Sequence, residues 1–160
     1  MTAPVDAIEF LSPPGVITPT GPWSLGVRAG DFVFVAGMRG VDPKTNTLVA
    51  GDEARVRQAF LNMQTIVAAA GGTLRNAVRL VVYVTDMDRH RPLVNTIQEE
   101  LWGGPPYPPR TIVEVRGLNQ DDIVEVEGTF FCRLRCSQRW FKPRPHCLVE
   151  AVTDVDSAKR

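Results

Sequence analysis

Residues 77–87 read AVRLVVYVTDM and form an apolar run that is rich in β-branched side chains. A strand with one wet face alternates apolar and polar residues, whereas this run hardly alternates. We therefore predict a central strand that is buried on both of its faces.

Two amphipathic patterns flank this strand. In residues 53–72 apolar side chains recur at spacings of three and four, which predicts a helix with Asp52 as its N-cap and Gly71-Gly72 at its end. Residues 89–102 show the same spacing and predict a second helix that ends at Gly103-Gly104. The apolar positions of the two stripes are Val56, Phe60, Met63, Ile66, Val67, Ala70, Leu93, Ile97 and Leu101.

Further strands are predicted on both sides of the helices. Residues 25–37, LGVRAGDFVFVAG, read as a hairpin that turns at Ala29-Gly30-Asp31. Residues 41–52 are rich in Pro, Asn, Asp and Gly and predict a loop. Residues 110–118 and 122–134 read as two last strands.

The predicted order is thus ββαβαββ, which gives an α+β fold. Because a strand–helix–strand connection crosses over in the right-handed sense, both helices lie on one face of a mixed sheet. The other face is rich in Val, Ile and Phe and has no cover within the chain. We expect further copies of the chain to cover it in a homo-oligomer.

Composition and charge narrow the class of protein. The 160 residues, 44% of them hydrophobic and 22% charged, suffice for one globular domain. Eighteen basic residues balance eighteen acidic ones, so no bulk field attracts nucleic acid or anionic lipid. The first residues show no basic stretch followed by an apolar one, so no leader peptide is predicted, and no apolar run reaches the length of about 20 residues that a spanning helix needs. The sequence predicts a cytoplasmic protein without nucleic-acid or membrane partners.

The predicted domain has an extension at either end. Residues 1–24 hold five of the thirteen prolines and predict an extended N-terminal arm. Residues 25–135 form the predicted domain, and residues 136–160 change character and predict a C-terminal tail that orders on a neighbouring subunit. The cysteines, predicted to be reduced thiols, are Cys132, Cys136 and Cys147.

Several common kinds of site are not indicated. Neither a GxGxxG nor a GxxxxGK[ST] motif occurs, so no dinucleotide or nucleoside triphosphate site is predicted. Cys136, His146 and Cys147 lack the spacing of a zinc site and a fourth ligand, so no metal is predicted. Ser12 and Ser24 have no adjacent histidine that would activate them as nucleophiles.

Polar residues on predicted strands are the candidates for chemistry. Arg110 opens a strand directly after PPYPP, and its guanidinium could bind a carboxylate with two hydrogen bonds or simply cap a surface strand. Glu125 and Glu127 share one face of the last strand, while Val124 and Val126 share the other. On an edge strand such acids are commonly just solvated, so position alone leaves their role open.

Seven segments together resemble the RidA/YjgF family, over about residues 17–134 and in the family's order. They are GPWS (21–24), RAGDFVFVAG (28–37), DPKT (42–45), YVTDM (83–87), VN (94–95), PPRTIVEV (108–115) and VEVEG (124–128). The resemblance implies a chorismate-mutase-like α+β fold in a homotrimer with a central β-barrel and active sites between subunits; whether trimers pair into hexamers stays open. It also implies hydrolysis of reactive enamines and imines to a ketone and ammonia, without a metal or organic cofactor.

The resemblance also implies roles for single residues. The family's carboxylate-binding arginine falls on Arg110, and its water-positioning glutamate falls on Glu127. An aromatic site residue falls on Trp23, a helix asparagine on Asn95 and the second strand acid on Glu125. These residues are the predicted catalytic and substrate-binding set.

Three departures from the family pattern suggest a different substrate. Where the family has Gln followed by an apolar residue, this chain has Met38-Arg39. Ile112 stands where the family has Thr or Cys, and Trp23 stands where it has Tyr. A second guanidinium suits a second carboxylate, and a flatter apolar wall suits a longer chain, so an unsaturated amino-dicarboxylate fits. Among the deaminases of the family that the chain resembles, those of aromatic degradation act on such a molecule, so the resemblance implies 2-aminomuconate or a substituted form of it. Alternatively, Arg39 is a loop residue paired with Asp42 or Glu53.

Three other functions compete with that prediction. The first is a general deaminase of 2-iminobutanoate and 2-iminopropanoate, for which Arg39 has no role. The second is a noncatalytic trimer that uses Arg110 to hold a keto acid or another metabolite. The third is RNA cleavage, which the zero net charge disfavours.

Overall fold

A six-stranded mixed sheet with two helices is the framework of the computed structural model, which describes residues 8–133. The strands are β1 (Glu9–Leu11), β2 (Gly26–Ala29), β3 (Phe32–Arg39), β4 (Val41–Asp42), β5 (Thr47–Leu48), β6 (Ala77–Val84), β7 (Arg110–Glu114) and β8 (Val124–Phe131). The helices are α1 (Asp52–Ala69) and α2 (Met87–Trp102). The strand order in the main sheet is β1-β2-β3-β8-β6-β7, while β4 and β5 form a separate small hairpin.

Strand β6 lies inside the sheet, as the apolar run predicts. It pairs antiparallel with β8 and parallel with β7. A parallel pair needs a crossover connection, and α2 supplies it between β6 and β7. Helix α1 packs across β3 and β8 and against α2. The predicted mixed sheet with two helices on one face is confirmed.

Burial alternates along the strands. In β8 every second residue, including Val124 and Val126, is buried against the helices. In β6 the side chains of Leu80, Val82 and Val84 are fully buried, whereas Val81 and Tyr83, which alternate with them on the other face, are only partly buried. The prediction that residues 77–87 are buried on both faces is therefore wrong for a single chain. Both helices lie on one side, so the other side, which we call the open face, keeps its apolar residues uncovered within residues 8–133.

The helix ends follow local chemistry, with one correction. Helix α1 has Gly51 at its N-cap, at a φ of 88°. The prediction of Asp52 as N-cap is wrong, because Asp52 is the first helical residue and its carboxylate forms an ion pair with Arg89 at 2.6 Å. Helix α2 begins two residues earlier than predicted, since the carboxylate of Asp86 caps it by accepting a hydrogen bond from the Arg89 amide. It ends at the predicted glycine, Gly103.

Two paired segments are not predicted by local patterns. Within the N-terminal arm, β1 pairs with β2, and Glu9 forms an ion pair of 3.7 Å with the buried Arg28. Within the predicted loop at 41–52, β4 pairs with β5. The predicted hairpin between β2 and β3 is confirmed, and Gly30 adopts a φ of 60° in its turn.

The ends of the chain fall partly outside this description. The first seven residues and the tail at 136–160, with Cys136, His146 and Cys147, lie outside the described residues. Cys132 is described, and its thiol is buried and not in a disulfide. Neither described helix is long and apolar enough to cross a membrane.

Candidate functional site

Arg110 lies where the sequence predicts it, at the first position of β7. It is in register with the buried Leu80, so its side chain projects on the helix side of the sheet. The guanidinium donates hydrogen bonds of 2.6 Å to Oε1 of Gln98 and 2.6 Å to Oδ1 of Asn95. Both acceptors are uncharged amides. The guanidinium is thus fixed in orientation without its charge being neutralised.

Helix α2 presents these two amides on one face because they are three residues apart. Asn95 is exposed, whereas Gln98 is buried, so they hold the guanidinium from its outer and inner sides. Asn95, which the resemblance assigns to the site, is thus within hydrogen-bond distance of Arg110. Gln98 is an additional site residue that sequence reasoning missed, and its spacing of three from Asn95 is the signal that points to it.

Glu125 and Glu127 project on the open face. They are in register with Tyr83 and Val81 of β6, and the residue between them, Val126, is fully buried on the helix side. The predicted alternation of β8 is confirmed. The sheet consequently separates both acids from Arg110 within one chain.

Glu125 has the more protected carboxyl group. It is half-buried, and this burial raises its pKa above the usual value, as do the nearby charges of Asp122 and Glu127. The guanidinium of Arg39, in register with Glu125 on β3, acts in the opposite direction. A bulge between Val35 and Met38 places Gly37 beneath this carboxyl group, where a Cβ would overlap it. The absent side chain at Gly37 thus leaves room for the acid.

Tyr83 joins the two acids and was not among the predicted site residues. It lies opposite Glu125 and diagonal to Glu127. Its pKa is raised by burial and then by the charge of Glu127 and a hydrogen bond with it. The sequence alone could not reveal this contact, because it depends on which residues of β6 and β8 pair.

Glu127 also borders a depression on the open face. Its volume is about 230 Å³, which is smaller than the pockets that hold drug-sized ligands. The other lining residues are Phe34, Val35, Arg79, Val81, Gly128 and Thr129. This depression has room for a small ligand next to a carboxylate.

Arg39 and Trp23 both line a narrow cleft of about 10 Å³. The Arg39 side chain is buried, and its guanidinium donates to the carbonyl of Asn119 at 2.6 Å and to Oε1 of Gln120 at 3.2 Å. These bonds hold a turn in which Gln120 has a φ of 60°. Trp23 remains partly exposed.

The structure also tests the predicted partners of Arg39 and the predicted place of Ile112. The alternative that pairs Arg39 with Asp42 or Glu53 is wrong: the carboxylate of Asp42 accepts from the Lys44 amide, and Glu53 pairs with a neighbour on its own helix. The guanidinium of Arg39 donates its hydrogen bonds to the turn at Asn119 and Gln120 instead. Ile112, predicted as part of an apolar wall, is in register with the buried Val82 and packs against the core on the helix side.

Comparison with known proteins matches most of the described chain. A family model described as Endoribonuclease L-PSP matches residues 15–131. A RutC family protein of Pyrococcus horikoshii is 37% identical over 111 residues, which are 69% of this chain and 86% of that protein. A 2-iminobutanoate/2-iminopropanoate deaminase of Dermatophagoides farinae is 32% identical over 123 residues, 75% of this chain and 93% of that protein.

A solved structure shares the fold over its whole length. It is that of a probable translation initiation inhibitor from Rhodopseudomonas palustris, 50% identical in sequence, with a TM-score of 0.78. The match covers 80% of this chain and all of that one.

Proposed function

The chain belongs to the RidA/YjgF family, and from this membership we propose that it hydrolyses small 2-imino acids and their enamine tautomers to 2-oxo acids and ammonia. The observation that carries the proposal is the fixed guanidinium of Arg110, held by two neutral amides and in no ion pair among residues 8–133. The relative from D. farinae, named as a deaminase of 2-iminobutanoate and 2-iminopropanoate, supports this substrate class.

The first step is the binding of the substrate carboxylate. A 2-imino acid carries its carboxylate next to the carbon that water attacks. Arg110 can bind both oxygens of that group and thereby fix the position of the reacting carbon. Asn95 and Gln98 orient the guanidinium before the substrate arrives, so little rotamer entropy is lost on binding.

The second step is proton transfer by the strand acids. Glu127 holds a water molecule and takes its proton as the water attacks the imine carbon, while Tyr83 keeps this carboxylate in place. Glu125, whose raised pKa keeps it protonated to a greater extent near neutral pH than an ordinary carboxyl group, protonates the enamine carbon. The proton that Glu127 took from water then passes to the nitrogen of the carbinolamine, and the carbinolamine hydroxyl returns a proton to Glu125. The C–N bond breaks, ammonia leaves and the 2-oxo acid remains.

A second copy of the chain has to bring the two groups together. Arg110 lies on the helix side of the sheet, and the acids lie on its open face. The open face also exposes Phe32 and Phe34, 42% and 45% of whose surface is accessible. Covering these side chains gives a hydrophobic driving force for assembly. We therefore propose a homotrimer with sites between subunits, as the family resemblance implies.

Substitution of Phe34 by Glu tests this assembly. A charge on the open face would have to be buried without a partner, so we expect the variant to be monomeric and inactive. Light scattering should show a trimer for the parent chain and a monomer for the variant. Leu61→Glu is the matched control, because Leu61 is a similarly exposed apolar residue on α1. A monomeric parent chain that still hydrolyses imines would contradict the shared site.

The structure of the Arg39 cleft argues against 2-aminomuconate as the substrate. The guanidinium that would bind the second carboxylate is buried and already donates to Asn119 and Gln120. None of the relatives described above carries that substrate in its name. We accordingly favour the monocarboxylate imines.

Arg39→Gln distinguishes the two substrate classes. We expect kcat/KM for 2-iminobutanoate and for 2-aminomuconate to fall by the same factor. The substitution removes the hydrogen bonds that hold the turn at Asn119 and Gln120, and neither substrate contacts the lost guanidinium. Removal of the positive charge also raises the pKa of Glu125 further. Because Glu125 acts in its protonated form, the alkaline limb of the pH–rate profile should move to higher pH. A fall of about tenfold for the dicarboxylate alone, equivalent to about 1.4 kcal/mol, would restore 2-aminomuconate as the substrate.

The experiment that tests the proposed function is an ammonia-release assay with freshly generated 2-iminobutanoate beside 2-aminomuconate and an RNA substrate. Release from the monocarboxylate imine without RNA cleavage supports the proposal. Binding of a 2-oxo acid without any turnover would instead indicate the noncatalytic metabolite-binding trimer. Cleavage of RNA alone would favour the activity in the family description.

A further inference from the structure

A second guanidinium lies beside Arg110 and has no role in the mechanism above. It belongs to Arg91 of α2, four residues before Asn95 and seven before Gln98, and residues at these spacings share one face of a helix. Arg110 is hydrogen bonded to Asn95 and Gln98 of that same face. The charge of Arg91 is close enough to lower the pKa of Arg110, after the larger effect of burial.

The two guanidiniums form a local excess of positive charge. Within residues 8–133 neither Arg91 nor Arg110 takes part in an ion pair, whereas Arg89, two residues from Arg91, pairs with Asp52 at 2.6 Å. Neighbouring like charges destabilise a protein unless an anion offsets them. A carboxylate bound between Arg91 and Arg110 would remove this repulsion.

We propose that Arg91 is the outer member of a two-guanidinium site for the substrate carboxylate. Arg91 is exposed and attracts the anion from solution, while the half-buried Arg110 fixes its orientation. The inference rests on the proposed function for the identity of the anion, a 2-imino or 2-oxo acid. It adds a residue that governs capture of the substrate rather than the chemical step.

Kinetics of Arg91→Gln test the inference, with Arg89→Gln as the matched control. The two arginines are two positions apart on α2, so they face nearly opposite sides of the helix. For Arg91→Gln we expect KM for 2-iminobutanoate to rise about three- to fivefold at low salt, as for an exposed ion pair, with kcat unchanged. The KM of this variant should respond less to salt than that of the parent. Arg91→Lys should recover most of the effect, and Arg89→Gln should leave KM unchanged.

A binding measurement separates this inference from the proposed function. Calorimetric titration with 2-oxobutanoate at low and at high salt reports the affinity for a carboxylate without any turnover. Weaker binding to Arg91→Gln than to Arg89→Gln upholds the inference even if no imine is hydrolysed. Hydrolysis by the parent with identical KM and affinity in the two variants would overturn the role of Arg91 and leave the proposed function standing. Absence of both binding and hydrolysis in the parent would overturn both.

Discussion

Arg110→Ala is expected to abolish imine hydrolysis while leaving the fold and the assembly intact. The side chain is only half-buried at the start of an edge strand, so its removal empties no part of the core. It does remove the group that places the reacting carbon near the water. We expect kcat/KM to fall by about 10³-fold or more, since positioning and charge-assisted binding are lost together.

Two further variants make this result specific. Arg110→Lys should recover little activity, because an ammonium group cannot reproduce two parallel hydrogen bonds to a carboxylate or bind both Asn95 and Gln98 in the same way. Arg116→Ala removes an exposed arginine shortly after β7 and should be active. Near-parent activity of Arg110→Ala, with the trimer intact, would remove Arg110 from the mechanism.

Glu127→Gln is expected to have the second large effect. The amide can accept a hydrogen bond from Tyr83 and can hold a water molecule, but it cannot take a proton. Binding of 2-oxobutanoate should therefore persist while turnover falls by about 10²–10⁴-fold, the usual contribution of a general base. Stopped-flow measurement of 2-iminobutanoate loss, paired with calorimetric binding, checks both parts.

Glu125→Gln provides the comparison for that result. We expect a smaller loss for the imine and a larger one for its enamine tautomer, because the proposed role of Glu125 is proton donation. The pH profile should also lose the limb that reflects the raised pKa of this carboxyl group. If Glu125→Gln abolished imine turnover and Glu127→Gln did not, the general base would be Glu125.

Local patterns predicted the elements that local interactions determine. The turn at Gly30, the end of α2 at Gly103 and the alternation of β8 each depend on a few neighbouring residues, and each is found. The position of Arg110 at the start of a strand was predicted for the same reason, because PPYPP cannot continue a helix.

Features that depend on distant partners could not be predicted in this way. The pairing of β1, the contact of Tyr83 with Glu127 and the hydrogen bond from Arg110 to Gln98 all require knowledge of which elements are neighbours. The expected burial of both faces of β6 failed for a related reason. An apolar run shows that a face avoids water, but it does not show whether the same chain or another copy covers it.

The rate of 2-iminobutanoate hydrolysis by the purified chain of 160 residues is the most direct test of the central claim. The imine is generated in the cuvette, and its loss is followed with and without the protein. From the roles proposed for Arg110 and the strand acids we expect a rate at least about 10²-fold above the buffer rate, with ammonia and 2-oxobutanoate formed in equal amounts. A rate equal to that in buffer alone, measured with trimeric protein that binds 2-oxobutanoate, would contradict the account.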